Sequence, residues 1–212
     1  MQIISNLYHN FPKQRIVLVT HSNAALNDLF KKILERNVDA RHLLRLGAGE
    51  YDLRESLAAE GGRGQGETFT KHGRVQWCLG RRQELLAEVQ RLGNSISSTV
   101  GDVGYTCETA EYFYEYTVKV AISRFEKSIE SSTPTLVVSE LFPFNLFFAN
   151  APDQPLFKGK YDIDIDIARG CITHIRNLFQ EVLDYRALEL LRTQAHRCDY
   201  ILKNQVRIYV YL

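Results

Sequence analysis

The pattern of apolar positions in the first fifty residues predicts an alternation of helices and strands. Residues 1–11 place their apolar side chains on one helical stripe, which Pro12 closes. Residues 15–20 form a short β-branched and aliphatic run, typical of a strand buried on both faces. Helical spacing returns after Ser22, and a second short strand is predicted at 43–46. This order is typical of a doubly wound α/β domain.

The middle of the chain has a different pattern. Residues 48–72 contain several glycines and few large apolar side chains, which predicts a flexible loop. A Gly/Ser-rich break is predicted at 93–104 and an irregular, Phe-rich segment at 139–160. Helices are predicted in three stretches, at 73–93, 107–131 and about 163–196.

The last residues alternate in polarity and predict a strand at 205–210. We therefore expect three parallel strands, at 15–20, 43–46 and 205–210. The chain would leave the sheet after the second strand, form a large helical insertion and return for the third. The exposed edges of such a small sheet favour aggregation.

Composition and charge narrow the functional class. The 212 residues are 45% hydrophobic and 24% charged, which is typical of a folded globular protein. With 26 basic and 25 acidic side chains the formal net charge is +1, so any nucleic-acid binding must rest on a local surface. The four cysteines form no CxxC pair, and no apolar run reaches the roughly 18 residues of a membrane span. These features predict a protein of a reducing compartment without membrane partners.

The turn after the first strand is the strongest candidate site. Thr20, His21, Ser22 and Asn23 lie where a parallel strand ends and a helix begins. Hydroxyls, an amide and free backbone N–H groups at such a position can hold a phosphate. A plain helix N-cap is the alternative interpretation, and one residue can cap while another contacts a phosphate.

Several segments resemble one family. VLVTHSNAAL, from Val17 to Leu26, resembles motif Ia of superfamily 1 helicases of the nonsense-mediated-decay-helicase branch. Four further segments resemble Aquarius-type intron-binding RNA helicases of the spliceosome: RHLLRLGAGE (41–50), YTCETAEYF (105–113), FPFNLFFANAPDQPLFKG (142–159) and RALELLR (186–192). The chain would be an internal fragment of such a protein.

The resemblance implies a fold and a division of the chain. It implies α/β architecture with a partial RecA-like parallel sheet of the P-loop NTPase type and a large, mainly helical insertion. Residues 1–50 would belong to the first helicase lobe, 51–198 to a helical stalk with the flexible Gly-rich loop, and 199–212 to the returning strand.

The resemblance also implies a function in pre-mRNA splicing. The partners would be single-stranded RNA of the intron and spliceosomal proteins, and the location would be the nucleus. ATP and Mg would act in the complete parent helicase, but this chain holds no cofactor. It lacks the P-loop and the Walker B motif, so we expect no ATPase activity from the chain alone. The alternative is a non-enzymatic helical docking module for spliceosomal partners, without motor activity.

The expected RNA-binding residues are those of the motif Ia turn and one arginine. They are Thr20, His21, Ser22, Asn23 and Arg45. Arg45 ends the second strand, and Lys31 or Lys32 would add charge to the same groove. No catalytic or metal-binding residues are expected.

Other motifs fail on their chemistry. Residues 61–68 imitate a P-loop, but Glu67 stands where a lysine must contact the phosphates. Asp162, Asp164 and Asp166 have calcium-loop spacing without its glycine and closing glutamate, so the start of a helix explains them better. His196 and Cys198 lack a second ligand pair.

The rings of Phe142, Phe144, Phe147 and Phe148 are the last candidate. They could stack on bases, but apolar packing is the favoured interpretation.

Overall fold

The computed structural model describes residues 2–61, 68–96, 104–130, 138–149 and 163–211. The chain divides into two compact units. Unit 1 comprises Met1–Arg81 with Leu190–Leu212, and unit 2 comprises Arg82–Glu189. The division of the chain into 1–50, 51–198 and 199–212 stays a prediction.

Unit 1 contains a small parallel sheet. Its elements in chain order are α1 (Gln2–Asn10), β1 (Ile16–Val19), α2 (Asn23–Leu34), a 3₁₀ turn (Ala40–His42), β2 (Leu43–Arg45), α3 (Glu50–Glu60), the first part of α4 (Lys71–Ile96), α11 (Gln194–Asn204) and β3 (Ile208–Tyr211). The strand order is β1-β3-β2, and both pairings are parallel. The three predicted strands and their parallel arrangement are confirmed.

The register places the last strand at the centre of the sheet. Ile208 pairs with Ile16 of β1 and with Leu43 of β2. These three side chains are buried in one cluster with residues of α2 and α3: Leu26, Phe30, Ile33, Leu34, Leu53 and Leu57. The apolar stripe predicted for α2 therefore faces the core.

The prediction that the first strand is buried on both faces is wrong. Val17 is 63% exposed and Val19 is 69% exposed. In the parallel register these residues pair with Tyr209 and Tyr211, and Tyr211 is also exposed. Since the face of β1 that carries Val17 and Val19 is not covered by the described residues, the β-branched run indicates a strand but not burial of both faces.

Unit 2 is helical in its described parts. It holds the rest of α4, then α5 (Cys107–Phe113), a π-helical segment (Tyr114–Val118), α6 (Lys119–Glu130), α7 (Val138–Leu141), α8 (Asn145–Ala149), α9 (Ile165–Asp184) and most of α10 (Arg186–Leu190). No helix among the described residues is long and apolar enough to cross a membrane. The mainly helical insertion is confirmed.

Part of the segment predicted as a loop at 48–72 is helical instead. Leu53 and Leu57 of α3 lie one turn apart and are buried, which supplies a narrow apolar face. Glu50 and Asp52 in the first turn interact favourably with the helix dipole. The glycines at 62, 64 and 66, and with them Glu67, lie outside the described residues.

The predicted single helix at 163–196 is broken twice. Tyr185 ends α9, and Thr193 adopts an extended backbone before α11. The Thr193 hydroxyl accepts a hydrogen bond from the His196 N–H at 3.2 Å, so the new helix begins with its own cap. Helical periodicity across the break did not reveal this cap.

The Phe-rich segment folds into two short helices where it is described, and residues 150–162 lie outside the description. Phe142, Phe144, Phe147 and Phe148 are at most 3% exposed. The Phe142 ring lies 5.3 Å from the Phe125 ring, centroid to centroid. Apolar packing is therefore confirmed, and base stacking by these rings is excluded in this conformation.

Asp164 caps α9. Its carboxylate accepts a hydrogen bond from the Ile167 N–H at 2.7 Å, which confirms the helix-start interpretation at this position. Asp162 lies outside the described residues.

Candidate nucleic-acid interface

The candidate site lies at the carboxyl edge of the sheet in unit 1. Two segments meet there: the turn of residues 20–23 after β1, and the loop of residues 46–49 after β2. Both strands run parallel to β3, so both segments leave the same edge. Ligands bind at this edge in open parallel sheets.

The turn after β1 is held by its own polar groups. The Thr20 hydroxyl donates to the Ser22 carbonyl at 3.1 Å. Ser22 is the N-cap of α2, and its hydroxyl oxygen accepts from the Ala25 N–H at 3.2 Å. His21 is exposed, and Thr20, Ser22 and Asn23 are half-buried. The capping interpretation of Ser22 is therefore confirmed, while its hydroxyl proton is still available to a ligand.

Arg45 occupies a different position from the one expected. The side chain was expected to reach a phosphate, but only 2% of Arg45 is exposed. Its Nη1 donates to the Gly47 carbonyl at 2.8 Å, and its Nη2 donates to the Ala48 carbonyl at 2.5 Å. Burial lowers the pKa of its guanidinium, and the nearby Glu50 and Asp52 carboxylates oppose that shift.

Two asparagines of α2 complete the environment of Arg45. Arg45 Nη2 donates to Asn23 Oδ1 at 3.3 Å, and Arg45 Nε donates to Asn27 Oδ1 at 3.0 Å. The Asn27 Nδ2 group donates to the Gly49 carbonyl at 3.2 Å. The guanidinium thus connects the first turns of α2 to the loop after β2.

Sequence reasoning missed Asn27. The available signal is its place on the apolar stripe of α2, directly after Leu26 and before Phe30. Asn27 is 9% exposed, and a buried amide must find partners. A polar residue such as Asn27 at a buried position of α2 therefore indicates a side-chain contact to another segment, here the loop after β2.

Lys31 and Lys32 do not lie at the candidate site. They occupy the last turn of α2, whereas Asn23 begins that helix. At a rise of about 1.5 Å per residue they lie roughly 12 Å further along the axis. The expectation that they add charge to the same groove stays a prediction.

The two helix N-termini at this edge differ in charge. The first turn of α2 holds no acidic residue, whereas the first turn of α3 holds Glu50 and Asp52. An anion is favoured by a helix N-terminus and repelled by a nearby carboxylate. The start of α2 is therefore the better place for a phosphate.

No other described cluster competes as a ligand site. Among the described residues no group of three or more His, Cys, Asp or Glu side chains is placed to hold a metal ion. Cys198 Sγ lies 3.9 Å from His72 Nδ1 and is buried. Burial raises the pKa of the Cys198 thiol, which makes it a weak nucleophile.

Comparison with known proteins gives a consistent result. No protein-family model matches the chain. The chain is 44% identical to the RNA helicase aquarius of Mus musculus, over 98% of this chain and 14% of that protein. It is 24% identical to the pre-mRNA-splicing factor cwf11 of Schizosaccharomyces pombe, over 98% of this chain and 15% of that protein. The chain thus spans about one seventh of the length of either relative. Since the identity to the mouse protein extends over nearly every residue of this sequence, the chain matches a segment of an Aquarius-type protein.

Proposed function

We propose that this chain supplies an RNA-backbone contact to an ATP-dependent RNA helicase that acts in pre-mRNA splicing. The names of the two relatives, a helicase and a splicing factor, support the process and the class of protein. The parallel sheet with its strand–turn–helix edge supports a partial RecA-like lobe. Intron RNA and spliceosomal proteins would be the partners, and the nucleus would be the site of action.

The observation that carries the RNA contact is the polar start of α2. Asn23 uses its Oδ1 to accept from Arg45, and among the described residues no acceptor is bonded to its Nδ2 group. The Ser22 hydroxyl and the first-turn N–H groups are further donors at the same place. Donors in a helix turn that holds no carboxylate of its own suit phosphate or ribose oxygens and do not read bases. Binding should therefore depend little on RNA sequence and weaken as salt rises.

The chemistry of ATP hydrolysis is proposed for other parts of the complete protein. The sequence contains no GxxxxGK[ST] motif, and the segment that imitates one carries Glu67 in place of the lysine. ATP and Mg would bind to a P-loop and an acidic Walker B residue elsewhere, and this chain would add RNA contacts and the helical insertion.

Replacing Ser22 and Asn23 together with alanine tests the contact in the protein at its natural length. Loss of one or two hydrogen bonds to a charged group predicts weaker RNA binding by roughly 1–3 kcal/mol. Removal of the Ser22 cap also destabilises α2 by about 1 kcal/mol, so melting curves must accompany the RNA titrations.

The matched control is Thr193→Ala. Thr193 caps α11 of the same unit in the same way, through the His196 N–H. This variant should lose similar stability and keep its RNA affinity. A folded Ser22→Ala, Asn23→Ala variant with unchanged affinity would remove this turn from RNA binding.

A second candidate function is the docking of protein partners by unit 2. Tyr112 and Tyr116 are each 66% exposed, with ring centroids 4.3 Å apart, and Val120 continues the same spacing at 39% exposure. Exposed aromatic residues are common at protein interfaces. Under this proposal, Tyr112→Ser with Tyr116→Ser lowers co-purification with splicing complexes without changing RNA affinity. Retained association would count against it.

A further inference from the structure

The Arg45 guanidinium is the most highly connected buried group at the candidate site. Among the described residues it donates four hydrogen bonds, to the carbonyls of Gly47 and Ala48 and to the side chains of Asn23 and Asn27. Every partner belongs either to the start of α2 or to the loop after β2. One planar group thus ties together the two segments that leave the sheet edge.

The chemistry of arginine fixes how the two asparagine amides are oriented. A guanidinium has only donors, so each amide must turn its oxygen towards Arg45. For Asn27 this leaves Nδ2 directed at the Gly49 carbonyl, as observed. For Asn23 it leaves Nδ2 as a donor without a bonded acceptor in the described part of the chain. That donor is what the proposed phosphate contact requires.

The loop after β2 fits closely around the guanidinium. Gly49 has φ +87°, and a Cβ atom there would lie 3.0 Å from Arg45 Nη2 and 3.2 Å from Asn23 Cβ. Because a side chain would disfavour this backbone and crowd Arg45, glycine lets the loop approach α2 this closely. The close approach places the Gly47 and Ala48 carbonyls within hydrogen-bonding distance of one side chain.

We infer that Arg45, together with Asn27, is a positioning residue for RNA binding, and that Arg45 acts through Asn23 and not through a phosphate contact of its own. The inference rests on the proposed function of the turn at 20–23. Arg45 holds the Asn23 amide with its nitrogen available to the ligand, and Asn27 holds both Arg45 and the Gly49 carbonyl. A direct contact would require the guanidinium to leave four acceptors and a site in which it is 2% exposed.

The decisive variant is Arg45→Lys in the protein at its natural length. Lysine keeps the positive charge, so a direct phosphate contact would largely survive. It cannot reproduce the planar fork that contacts four acceptors, so positioning would be lost. We expect RNA affinity to fall roughly tenfold, the equivalent of one hydrogen bond to a charged group.

In a variant that removes the charge of Arg45, the salt dependence of RNA binding distinguishes a direct phosphate contact from a positioning role. Each phosphate neutralised on single-stranded RNA contributes about 0.7 to the slope of log affinity against log salt. For Arg45→Gln we expect weaker binding with an unchanged slope. A slope that becomes shallower by about 0.7 would show that Arg45 contacts a phosphate directly and would overturn the inference.

A buried arginine elsewhere in unit 1 provides the matched control. Arg74 is 1% exposed and donates to the backbone carbonyls of Thr68 and Ala40, which belong neither to the turn at 20–23 nor to the loop after β2. Arg74→Lys should destabilise the fold to a similar extent and leave the RNA affinity of the folded protein unchanged. Equal losses of affinity in both variants would mean that the effect is general destabilisation, which would overturn the inference.

A second variant covers the case in which the Arg45 variants do not fold. Asn27→Ala leaves every charge and every proposed RNA contact in place, and it should also weaken RNA binding. Normal affinity in folded Asn27→Ala would overturn the inference. If Ser22→Ala, Asn23→Ala binds RNA normally, the proposed function itself fails. If that double variant binds weakly while the Arg45 and Asn27 variants bind normally, only the positioning role fails.

Discussion

Replacing Gly49 with alanine should destabilise unit 1 more than the same change at another left-handed glycine. Gly49 and Gly61 both have positive φ, at +87° and +62°. A left-handed alanine costs about 1–2 kcal/mol at either position. At Gly49 the new Cβ would also lie 3.0 Å from Arg45 Nη2, whereas no described atom lies within 4 Å of the corresponding point at Gly61.

The difference between the two variants isolates the close approach of the loop to Arg45. Crowding in a well-packed site costs about 1–3 kcal/mol, so Gly49→Ala should lose about 2–5 kcal/mol in total. Gly61→Ala should lose only the roughly 1–2 kcal/mol of unfolding free energy that a left-handed alanine costs. With a urea dependence of about 2 kcal/mol per molar, the two unfolding midpoints should differ by roughly 0.5–1.5 M.

Trp77 makes the measurement specific to this unit. It is the single tryptophan of the 212-residue chain and lies in the part of α4 that belongs to unit 1. Its fluorescence during urea unfolding should report both midpoints. Equal midpoints for the two variants would refute the reasoning, because they would show that Arg45 and Asn23 yield to the added methyl group at no cost.

Two further stability predictions follow from burial. Burial lowers the pKa of His42 from 6.5 to about 4, with Arg41 and Arg207 acting in the same direction and Asp39 opposing them. The unfolded chain therefore binds the proton more readily, and the free energy of unfolding should fall by about 1–2 kcal/mol as pH drops from about 6.5 to 4. In urea titrations at several pH values, His42→Gln should make the free energy of unfolding depend less on pH. An unchanged pH profile would contradict the assignment to His42. Phe144 is fully buried in unit 2, so Phe144→Ala should lower the free energy of unfolding by about 3–5 kcal/mol. Leu146 is 63% exposed, so Leu146→Ala should change it by no more than about 0.5 kcal/mol in thermal melts. Similar losses in the two variants would count against the packing described for the Phe-rich segment.

The sheet was predictable because strand signals are local. The runs near Ile16, Leu43 and Ile208 are short, β-branched or aliphatic, and bounded by turn residues, so composition alone located them. Which faces would be covered was not predictable, because the exposure of Val17 and Val19 depends on which other elements lie beside β1. The helix α3 was missed because two buried leucines are a weak periodic signal beside a glycine-rich stretch.

The candidate site was predictable in place but not in mechanism. The strand–turn–helix pattern located Ser22 as a cap and put Asn23 at the sheet edge. It gave no information on where the side chain of Arg45 turns, since a residue that ends a strand can face solvent or core. The role of Asn27 depends on a loop more than twenty residues further along the chain, at Gly49. Such a contact arises only from tertiary structure.

The central place of β3 has a consequence for synthesis of the protein on the ribosome. Among the described residues β1 and β2 do not pair with each other, and each pairs with β3, which begins at residue 208. At elongation rates of about 5–20 residues per second, the stretch between residues 43 and 208 takes roughly 8–33 s to translate. During that interval both early strands lack β3 as their partner, and Val17 and Val19 of β1 are apolar. We therefore expect the nascent chain to need protection by a chaperone until the third strand emerges.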